Sequence, residues 1–320
     1  MWRNPRALLL PVALIALLPL LPFINNYIVA ATVRALIFIS LGQAWNIVAG
    51  IGGLLSLGHG VFLGLGCYTT GILFNQLGIP PWIGVFGGIA LSVAVALLMG
   101  SMTLRMRGVF FALATVAMSL ALDQLARHYV DLTGGDNGLA LRFIGNSWWA
   151  AQARTPEPFL YAALILVIAY YGITRWILAS RFGLEMQSVR DDEVAAAAAG
   201  VAVFRTKLLG LLVSAAMTAL AGGIYVQFYM AIDPEAAFGL AQAIQLQLPA
   251  LIGGLGTALG PIIGGAVMIF LSELTNWGGS KLGIVGIDIL VYGLMLLFVV
   301  LRAPKGIVGA LFRSTMGDAR

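Results

Sequence analysis

Residues 158–229 read PFLYAALILVIAYYGITRWILASRFGLEMQSVRDDEVAAAAAGVAVFRTKLLGLLVSAAMTALAGGIYVQFY, which is two long apolar runs on either side of a polar segment. Each apolar run has about the 20 residues that a helix needs to cross the hydrocarbon core of a membrane. The runs are continuously apolar rather than alternating, which favours helices over the strands of a membrane barrel. We therefore expect spanning helices over 158–179 and 205–229, joined by a loop outside the bilayer.

The composition of the whole chain agrees with this expectation. Hydrophobic residues make up 60% of the 320 residues and charged residues only 10%, whereas soluble proteins carry about 25% charged residues. No long polar segment interrupts the chain, so residues 1–320 are expected to form a single transmembrane domain in contact with membrane lipid. A single cysteine excludes a disulfide framework and a cysteine metal site. The net charge is +5, and the basic residues lie in short loops and at the two termini. This distribution does not indicate nucleic-acid binding.

Further apolar runs set the number of spans. The remaining candidates are 7–24, 29–49, 54–75, 81–104, 109–127, 240–276 and 284–301. The longest of them is broken by GGLGTALGP at 253–261, which is typical of a tight hairpin between two short passes. A span interrupted by glycine and proline can also mark a substrate site in a transporter. The hairpin is the favoured interpretation.

The distribution of basic residues predicts the topology. Arginine and lysine are concentrated near the N-terminus, around position 105, in the polar segment after 158–179 and in the C-terminal tail. The positive-inside rule places all four regions in the cytoplasm. This arrangement requires 240–276 to cross twice and gives about ten spans, nine to ten in all. The predicted fold is an all-α integral membrane protein, a polytopic helical bundle with both termini cytoplasmic.

The polar segment contains its own helix signal. Acidic residues at 191–193 precede five alanines, and acidic side chains stabilise a helix N-terminus while alanine has the highest helix propensity. Gly200 stands where a helix would end. We expect a short surface helix whose small residues, Ala195 to Ala199, let another surface approach closely. A solvated linker helix is the alternative.

Polar residues inside the spans are candidates for a translocation path. Ser40, Gln43 and Asn46 are spaced three apart and form one stripe on a helix. Such a stripe either joins helices by hydrogen bonds or lines a wet path. Ser56 and His59 extend the candidate set. A structural role for His59 is favoured over a gating role, and a metal site is disfavoured because the other histidine, His128, is predicted near the opposite face.

Several motifs are absent from the sequence. There is no G-x-x-x-x-G-K-[ST] phosphate loop, so any use of ATP must come from a partner. There is no HExxH motif and no G-x-S-x-G elbow, so the chain is not expected to be an enzyme and no cofactor is expected. A stand-alone channel or secondary transporter would need intramembrane carboxylates. The few candidates, Glu273 and Asp288, are predicted near span ends.

Five segments carry a resemblance to a known family. They are WNIVAGIGGLLSLGHGVFLGLGCYT (45–69), RMRGVFFALATVAMS (105–119), LTGGDNGL (132–139), SRFGLEMQSVRDDEVAAAAAGV (180–201) and LIGGLGTALGPIIGGA (251–266). In this order they resemble the LivM-like permease subunits of branched-chain amino acid ABC importers. One departure is that the family often places an acidic or polar residue inside the alanine run.

The resemblance implies a function and partners. Residues 180–207 would form a cytoplasmic EAA-like coupling loop that docks on an ATPase subunit. The implied coupling residues are Arg190, Asp191, Asp192, Glu193, Ala195, Ala196, Ala199 and Gly200. The implied partners are two ATPase subunits, a paralogous permease subunit and a periplasmic substrate-binding protein. The chain would form half of a path for a branched-chain amino acid across the bacterial inner membrane, although relatives carry urea, short amides or aromatic acids.

Overall fold

The computed structural model describes residues 9–17, 19, 25–106, 108–282, 293–294 and 306–309. The predicted first span, 7–24, is therefore described only in part. Almost all of the predicted last span, 284–301, and both chain termini lie outside the described residues.

Helices account for most of the described residues. The first half contains α1 Leu9–Leu17, α2 Asn26–Asn46 continued by a π-helical segment Ile47–Ile51, α3 Gly60–Leu77, α4 Pro81–Thr103, α5 Val109–His128, α6 Val130–Thr133, a 3₁₀ turn Gly135–Asn137 and β1 Leu139–Ala140. The second half contains α7 Glu157–Ala179, α8 Arg181–Asp191, α9 Glu193–Ala198, α10 Val203–Tyr229, β2 Ala231–Ile232, α11 Pro234–Phe238, α12 Leu240–Gly253 and α13 Gly260–Leu282.

Five helices in the described ranges are long and apolar enough to cross a membrane. They are Asn26–Ile51, Pro81–Thr103, Val109–His128, Glu157–Ala179 and Val203–Tyr229. Each coincides with a predicted span to within three residues at either end. The apolar runs were therefore sufficient to locate these helices.

The two ends of the bundle carry different structures. The strands β1 and β2 pair antiparallel, with Leu139 opposite Ile232, and β2 follows directly after α10. Residues 180–202 precede the start of α10, and this helix of 27 residues is about 40 Å long. We call the end with β1 and β2 the strand end and the end with residues 180–202 the loop end.

The predicted span 54–75 differs from the observed helix at its start. Helix α3 begins at Gly60, and the residues before it fold back from the loop end into the bundle. The imidazole of His59 contacts Ser214, which lies near the middle of α10. Polar hydrogen bonds of the segment 52–59 replace the first turns of the predicted helix. An apolar run cannot reveal this arrangement because most of the segment is apolar or small and buried, as in a packed helix, although Leu55 is exposed.

The region 240–276, where two short passes are predicted, contains the two helices α12 and α13, separated at 254–259. The helices are antiparallel, because a Cβ on Gly253 would lie 1.7 Å from the carbonyl oxygen of Gly260 and a Cβ on Gly264 would lie 2.0 Å from that of Pro249. Such close approach is possible only without side chains. The interruption is thus the turn of a tight hairpin.

The chain enters this hairpin from inside the bundle. The carbonyl of Phe238, at the end of α11, accepts a hydrogen bond of 2.9 Å from Ser119 in the middle of α5. Helix α12 therefore starts at mid-depth and, at 14 residues and about 21 Å, reaches only to the loop end. Gln242 and Gln247 are consequently buried inside the bundle.

The centre of the bundle is packed through small residues of α3, α4 and α10. A Cβ on Gly66 would lie 2.3 Å from the carbonyl oxygen of Ala219, and one on Gly222 would lie 2.7 Å from that of Leu63. These contacts bring backbones together in the way that small residues allow in membrane helices. These backbone contacts hold α10 against α3. Helix α10 starts directly after the polar segment.

Candidate functional site

The surface segment, residues 180–202, consists of two short helices rather than one. Ser180 caps α8 by accepting a hydrogen bond of 3.2 Å from the Gly183 amide. Asp192 is extended and caps α9, accepting from the amides of Val194 at 2.8 Å and Ala195 at 3.0 Å. The predicted acidic start is therefore divided, because Asp191 ends α8 and Glu193 begins α9.

The Asp192 cap has an electrostatic consequence. Hydrogen bonds from the amides of Ala195 and Val194 hold the pKa of the Asp192 carboxyl below its ordinary value, because they stabilise its charged form. Gly200 ends the segment's second helix in the left-handed region at φ +87°, as a glycine after a helix commonly does.

Most of the alanine run faces outward. Ala195, Ala197, Ala198 and Ala199 are exposed, together with Val194. Ala196 is the exception in this run, since it is 4% exposed and packs toward the protein. The described surface thus offers a row of small side chains, and Ala196 supports it from beneath.

The surface segment is tied to the bundle at two places. The Lys207 ammonium, on α10, contacts the Glu193 carboxylate, and the lysine side chain is 4% exposed. On α8, Met186 is buried, and its Cε lies 2.9 Å from the position of a Cβ on Gly52 and 2.8 Å from one on Gly210. A thioether adapts to such irregular gaps. The segment is therefore seated on the bundle rather than suspended from it.

Arg190 makes a second set of contacts with the end of α2. Its Nη1 donates to the carbonyl oxygen of Gly50 at 3.1 Å, while Nε and Nη2 bind Asp191 Oδ1 at 3.0 and 2.9 Å. The Gly50 carbonyl belongs to the π-helical segment. Short π-helical segments occur frequently at functional sites. One nitrogen of the guanidinium thus reaches the bundle, while the arginine side chain as a whole is 36% exposed.

Asn46 clamps the hairpin turn to the same place. Its Nδ2 donates to the carbonyl oxygen of Thr257 at 2.9 Å, and its Oδ1 accepts from the Gly256 amide at 2.8 Å. The predicted path residue Asn46 is therefore a structural link between α2 and the α12–α13 turn. Its amide group is engaged at both ends.

His59 forms the centre of a second buried network. The ring is fully buried, with Nδ1 2.9 Å from Ser56 Oγ and Nε2 2.8 Å from Ser214 Oγ. The Ser214 hydroxyl gives its proton to the carbonyl oxygen of Ala44 at 2.7 Å. It must therefore accept from Nε2–H, which leaves Nδ1 of a neutral ring to accept from Ser56. This geometry satisfies both ring nitrogens and favours a structural role.

The remaining candidates of the polar stripe differ from each other. Ser40 donates to the Leu36 carbonyl within its own helix at 2.8 Å. Both amide atoms of Gln43 are buried and have no hydrogen-bond partner among the described residues, and the same holds for Gln227. Buried polar groups are usually paired. Of the five predicted path residues, Gln43 thus has side-chain hydrogen-bonding capacity that the described residues leave unused.

Helix α11 occupies the groove that the glycines of α3 provide. A Cβ on Gly64 would lie 2.3 Å from Cε1 of Phe238, and a Cβ on Gly60 would lie 3.0 Å from the carbonyl oxygen of Ala237. The Phe238 ring stacks on Tyr68 at 5.8 Å between centroids. Gly60 and Gly64 have the spacing of two small residues that lets another segment approach a helix closely, and here they receive a short segment that enters from the strand end.

Two ion-pair groups add residues to those predicted. In the first, Asp123 and Arg127 pair at 2.8 Å on α5, and Arg127 also contacts Asp136 and Glu235, which joins α11 to the strand-end loop. Arg34 pairs with Glu273 at 3.2 Å between α2 and α13. The signal for this second pair was the single arginine inside the apolar run 29–49.

Comparison with known proteins identifies the family. The model of a family described as the permease component of the branched-chain amino acid transport system matches residues 27–300. The chain belongs to this permease family. The match covers α2 to α13 and includes the surface segment and both buried networks.

The relatives of this permease-family chain are similar over most of their length. The high-affinity branched-chain amino acid transport system permease protein LivM of Salmonella typhimurium is 27% identical over 85% of this chain and 68% of its own. LivM of Escherichia coli is 26% identical over 93% of this chain and 74% of its own. LivH of Escherichia coli is 26% identical over 85% of this chain and 93% of its own. No solved structure shows a significant match.

Family membership and helix composition together define the class of protein. The chain is a multi-pass, all-α membrane protein of a transport permease family. This agrees with the fold class that the apolar runs predicted. The number of passes and the sides on which the termini lie depend on residues outside the described ranges.

Proposed function

We propose that the chain is the transmembrane permease subunit of an ATP-binding-cassette importer and forms half of the path for a branched-chain amino acid. A periplasmic binding protein would deliver the substrate at the strand end. The family match and the names of the relatives support this assignment. Urea, short amides and aromatic acids are the alternative substrates.

The proposal rests on one structural observation in particular. The exposed small residues of α9 form a surface at the loop end that is anchored to α10 through Glu193 and Lys207. Small side chains allow close approach of a partner, and anchoring lets a partner's movement reach the bundle. The coupling surface comprises Ala195, Ala199 and Gly200, with Asp192 and Glu193 holding it in place. One ATPase subunit would bind this surface. A second ATPase subunit would bind the paralogous permease.

Charge supports the orientation. The loop end carries Arg181, Arg190, Arg205 and Lys207, and basic residues are concentrated on the cytoplasmic side of membrane proteins. The loop end is therefore assigned to the cytoplasm of a bacterial inner-membrane protein of about ten passes. The strand end, with the exposed Trp148, faces the periplasm.

The experiment is reconstitution with the products of neighbouring genes. The chain is purified with a candidate ATPase and second permease, and ATP hydrolysis is measured in lipid with and without the binding protein and leucine. Ala195→Arg and Ala199→Arg place a large charge on the exposed coupling surface. The matched control is Ala231→Arg, which introduces the same change at an exposed position of the strand end.

The expected result is that both loop-end variants lose the bound ATPase and with it the stimulated hydrolysis, whereas Ala231→Arg keeps the bound ATPase and its basal hydrolysis. The parent chain and its three variants should be recovered from the membrane in equal amounts. If the parent chain associates with no ATPase, the importer assignment is wrong and a stand-alone channel or secondary transporter takes its place. If the loop-end variants behave like the parent, α9 is not the docking surface.

A further inference from the structure

Arg190 belongs to the surface segment in sequence, but its side chain is engaged with the membrane bundle. The Cγ atom lies 2.5 Å from the position of a Cβ on Gly53, and Nη1 lies 3.2 Å from the position of one on Gly256. Nη1 also donates to the carbonyl oxygen of Gly50. The side chain thus occupies a slot between three glycines of two different elements.

Side chains on these glycines would close the slot. Gly53 and Gly256 have φ values of +72° and +74°, a region that other residues rarely adopt. A Cβ on Gly50 would lie 2.0 Å from Asn46 Oδ1 and 2.3 Å from the Gly256 amide nitrogen. The absence of side chains at Gly53 and Gly256 leaves space for Arg190. The absence of one at Gly50 lets Asn46 and the hairpin turn approach α2 closely.

The elements around the slot lead to the buried polar interior. The π-helical segment continues α2, which carries Gln43, and the hairpin turn joins α12 to α13. After the π-helical segment the chain folds back, and Trp45 Nε1 holds this fold by donating to the Ser56 carbonyl at 2.8 Å. A displacement of the slot would thus reach both α2 and the hairpin.

We propose that Arg190 is the positioning residue that transmits movement of the surface segment to the π-helical end of α2 and to the α12–α13 turn. The proposal rests on the proposed function, since it assigns the route by which a docked ATPase acts on the path. Arg190 does not itself contact the ATPase or the substrate. The exposed row of α9 makes the docking contact, and α8 carries the displacement to Arg190.

The guanidinium suits this role because of its planar fork of donors. One nitrogen binds the Gly50 carbonyl while two others bind the Asp191 carboxylate, which fixes the direction of the side chain. A lysine in the same place retains the charge but has a single ammonium that cannot hold both acceptors in this geometry. Arg190→Lys therefore separates the effect of the forked hydrogen bonds from the effect of the positive charge.

The test uses Arg190→Lys and Arg190→Gln in the full complex of chain, second permease and ATPases. The matched control is Arg181→Gln, on the same helix, whose arginine side chain is 93% exposed and pairs with Glu185. We expect both Arg190 variants to assemble and to retain basal ATP hydrolysis within about twofold. Stimulation by the loaded binding protein and substrate uptake should fall at least about tenfold, within the range of coupling between two sites.

Two outcomes would overturn the proposal. Arg190 variants that keep stimulation and uptake would show that the slot carries no signal. Variants that no longer assemble would show that Arg190 serves docking or folding instead. The Arg181→Gln control must behave like the parent in each measurement.

A second measurement separates this proposal from the proposed function. Hydrogen exchange is followed at the Gly256 amide, which donates to Asn46, in the purified chain alone. Arg190→Gln should speed this exchange at least about tenfold if the slot supports the clamp, and Arg181→Gln should not. Unchanged exchange refutes the physical link. If the link holds while no ATPase binds the parent chain, the proposed function fails and the role of Arg190 in transmission fails with it.

Discussion

Lys207 and Glu193 join the surface segment to the first turns of α10 by an ion pair that is buried on one side. The lysine side chain is 4% exposed and the glutamate side chain 31% exposed. A buried charge is costly unless it is paired. The position of α9 therefore depends on the charge of Lys207, although neither residue lies on the exposed face.

The first prediction concerns this pair. Glu193→Gln leaves the buried ammonium facing a neutral amide, and we expect it to lower the free energy of unfolding by about 1–3 kcal/mol, less than for a fully buried pair because solvent reaches Glu193. Lys207→Met removes the buried charge and should cost less. The measurement is chemical unfolding in detergent micelles.

The double variant is the control for this prediction. Combining Glu193→Gln with Lys207→Met should recover most of the loss, because no unpaired charge remains in the protein interior. Equal stability of Glu193→Gln and the parent would mean that the ion pair contributes nothing.

The second prediction concerns the seat of α11 on α3. Gly64→Ala places a Cβ 2.3 Å from the Phe238 ring, and overpacking of this kind costs about 1–3 kcal/mol. We expect a corresponding loss of stability, and we expect Phe238→Leu in the same chain to relieve it. Unfolding in micelles measures both effects.

Gly172→Ala provides the matched glycine control. Gly172 lies in α7, and no atom lies within 4 Å of a Cβ built there in the described structure. This variant should be as stable as the parent or slightly more stable, because alanine favours helix. A stable Gly64→Ala protein would show that Phe238 is not seated in the groove.

The third prediction concerns pH and the Asp192 cap. The pKa of Asp192 is lowered in the folded protein from 3.8. Its charge therefore stabilises α9 fully above that value, and the contribution disappears as the pH falls through the lower folded pKa. Asp192→Asn keeps an oxygen acceptor but no charge.

The measurement compares hydrogen exchange at the amides of Val194 and Ala195 in the parent and in Asp192→Asn. The parent should be better protected near neutral pH, and its advantage should shrink as the pH falls below 3.8. Asp192→Ala should lose protection at every pH. An advantage that persists at the lowest pH would contradict the assigned cap.

The sequence was sufficient for the long helices and for the hairpin break. Runs such as 81–104 and 158–179 are continuously apolar, and each has the length of about 20 residues that a helix needs to cross a membrane. The break at 254–259 follows from glycines whose conformation other residues rarely adopt, including Gly254 and Gly256.

The re-entrant parts could not be predicted in the same way. The segment 52–59 and helix α11 are held in place by tertiary contacts. Most of their residues are as apolar or as small as those of a spanning helix, although Leu55 and Glu235 are exposed. Gly60 and Gly64 signalled close packing, but the partner, Phe238, is distant in sequence. Pattern reasoning contains no information about which distant segment fills a groove.

The candidate site was predicted in outline. Local helix and capping preferences do not depend on tertiary contacts. They are sufficient to predict a helix in the surface segment and its end at Gly200. The contact of Arg190 with the Gly50 carbonyl and the burial of Ala196 depend on how α8 and α9 rest on the bundle. The full hydrogen bonding of Asn46 and His59 likewise depends on Thr257 and Ser214, which lie far along the chain.

The last prediction distinguishes the two roles that remain for His59. His59→Leu removes both ring nitrogens, leaving the Ser56 hydroxyl without its acceptor and the Ser214 oxygen without its donor. Each unsatisfied group costs about 1–3 kcal/mol, so the unfolding free energy should fall. Adding Ser56→Ala and Ser214→Ala should recover part of the loss. A structural role predicts that substrate uptake per folded molecule stays within about twofold of the parent in reconstituted vesicles, because satisfied groups are not available to a substrate. Uptake that falls steeply while the folded amount is unchanged would instead assign His59 to the gate.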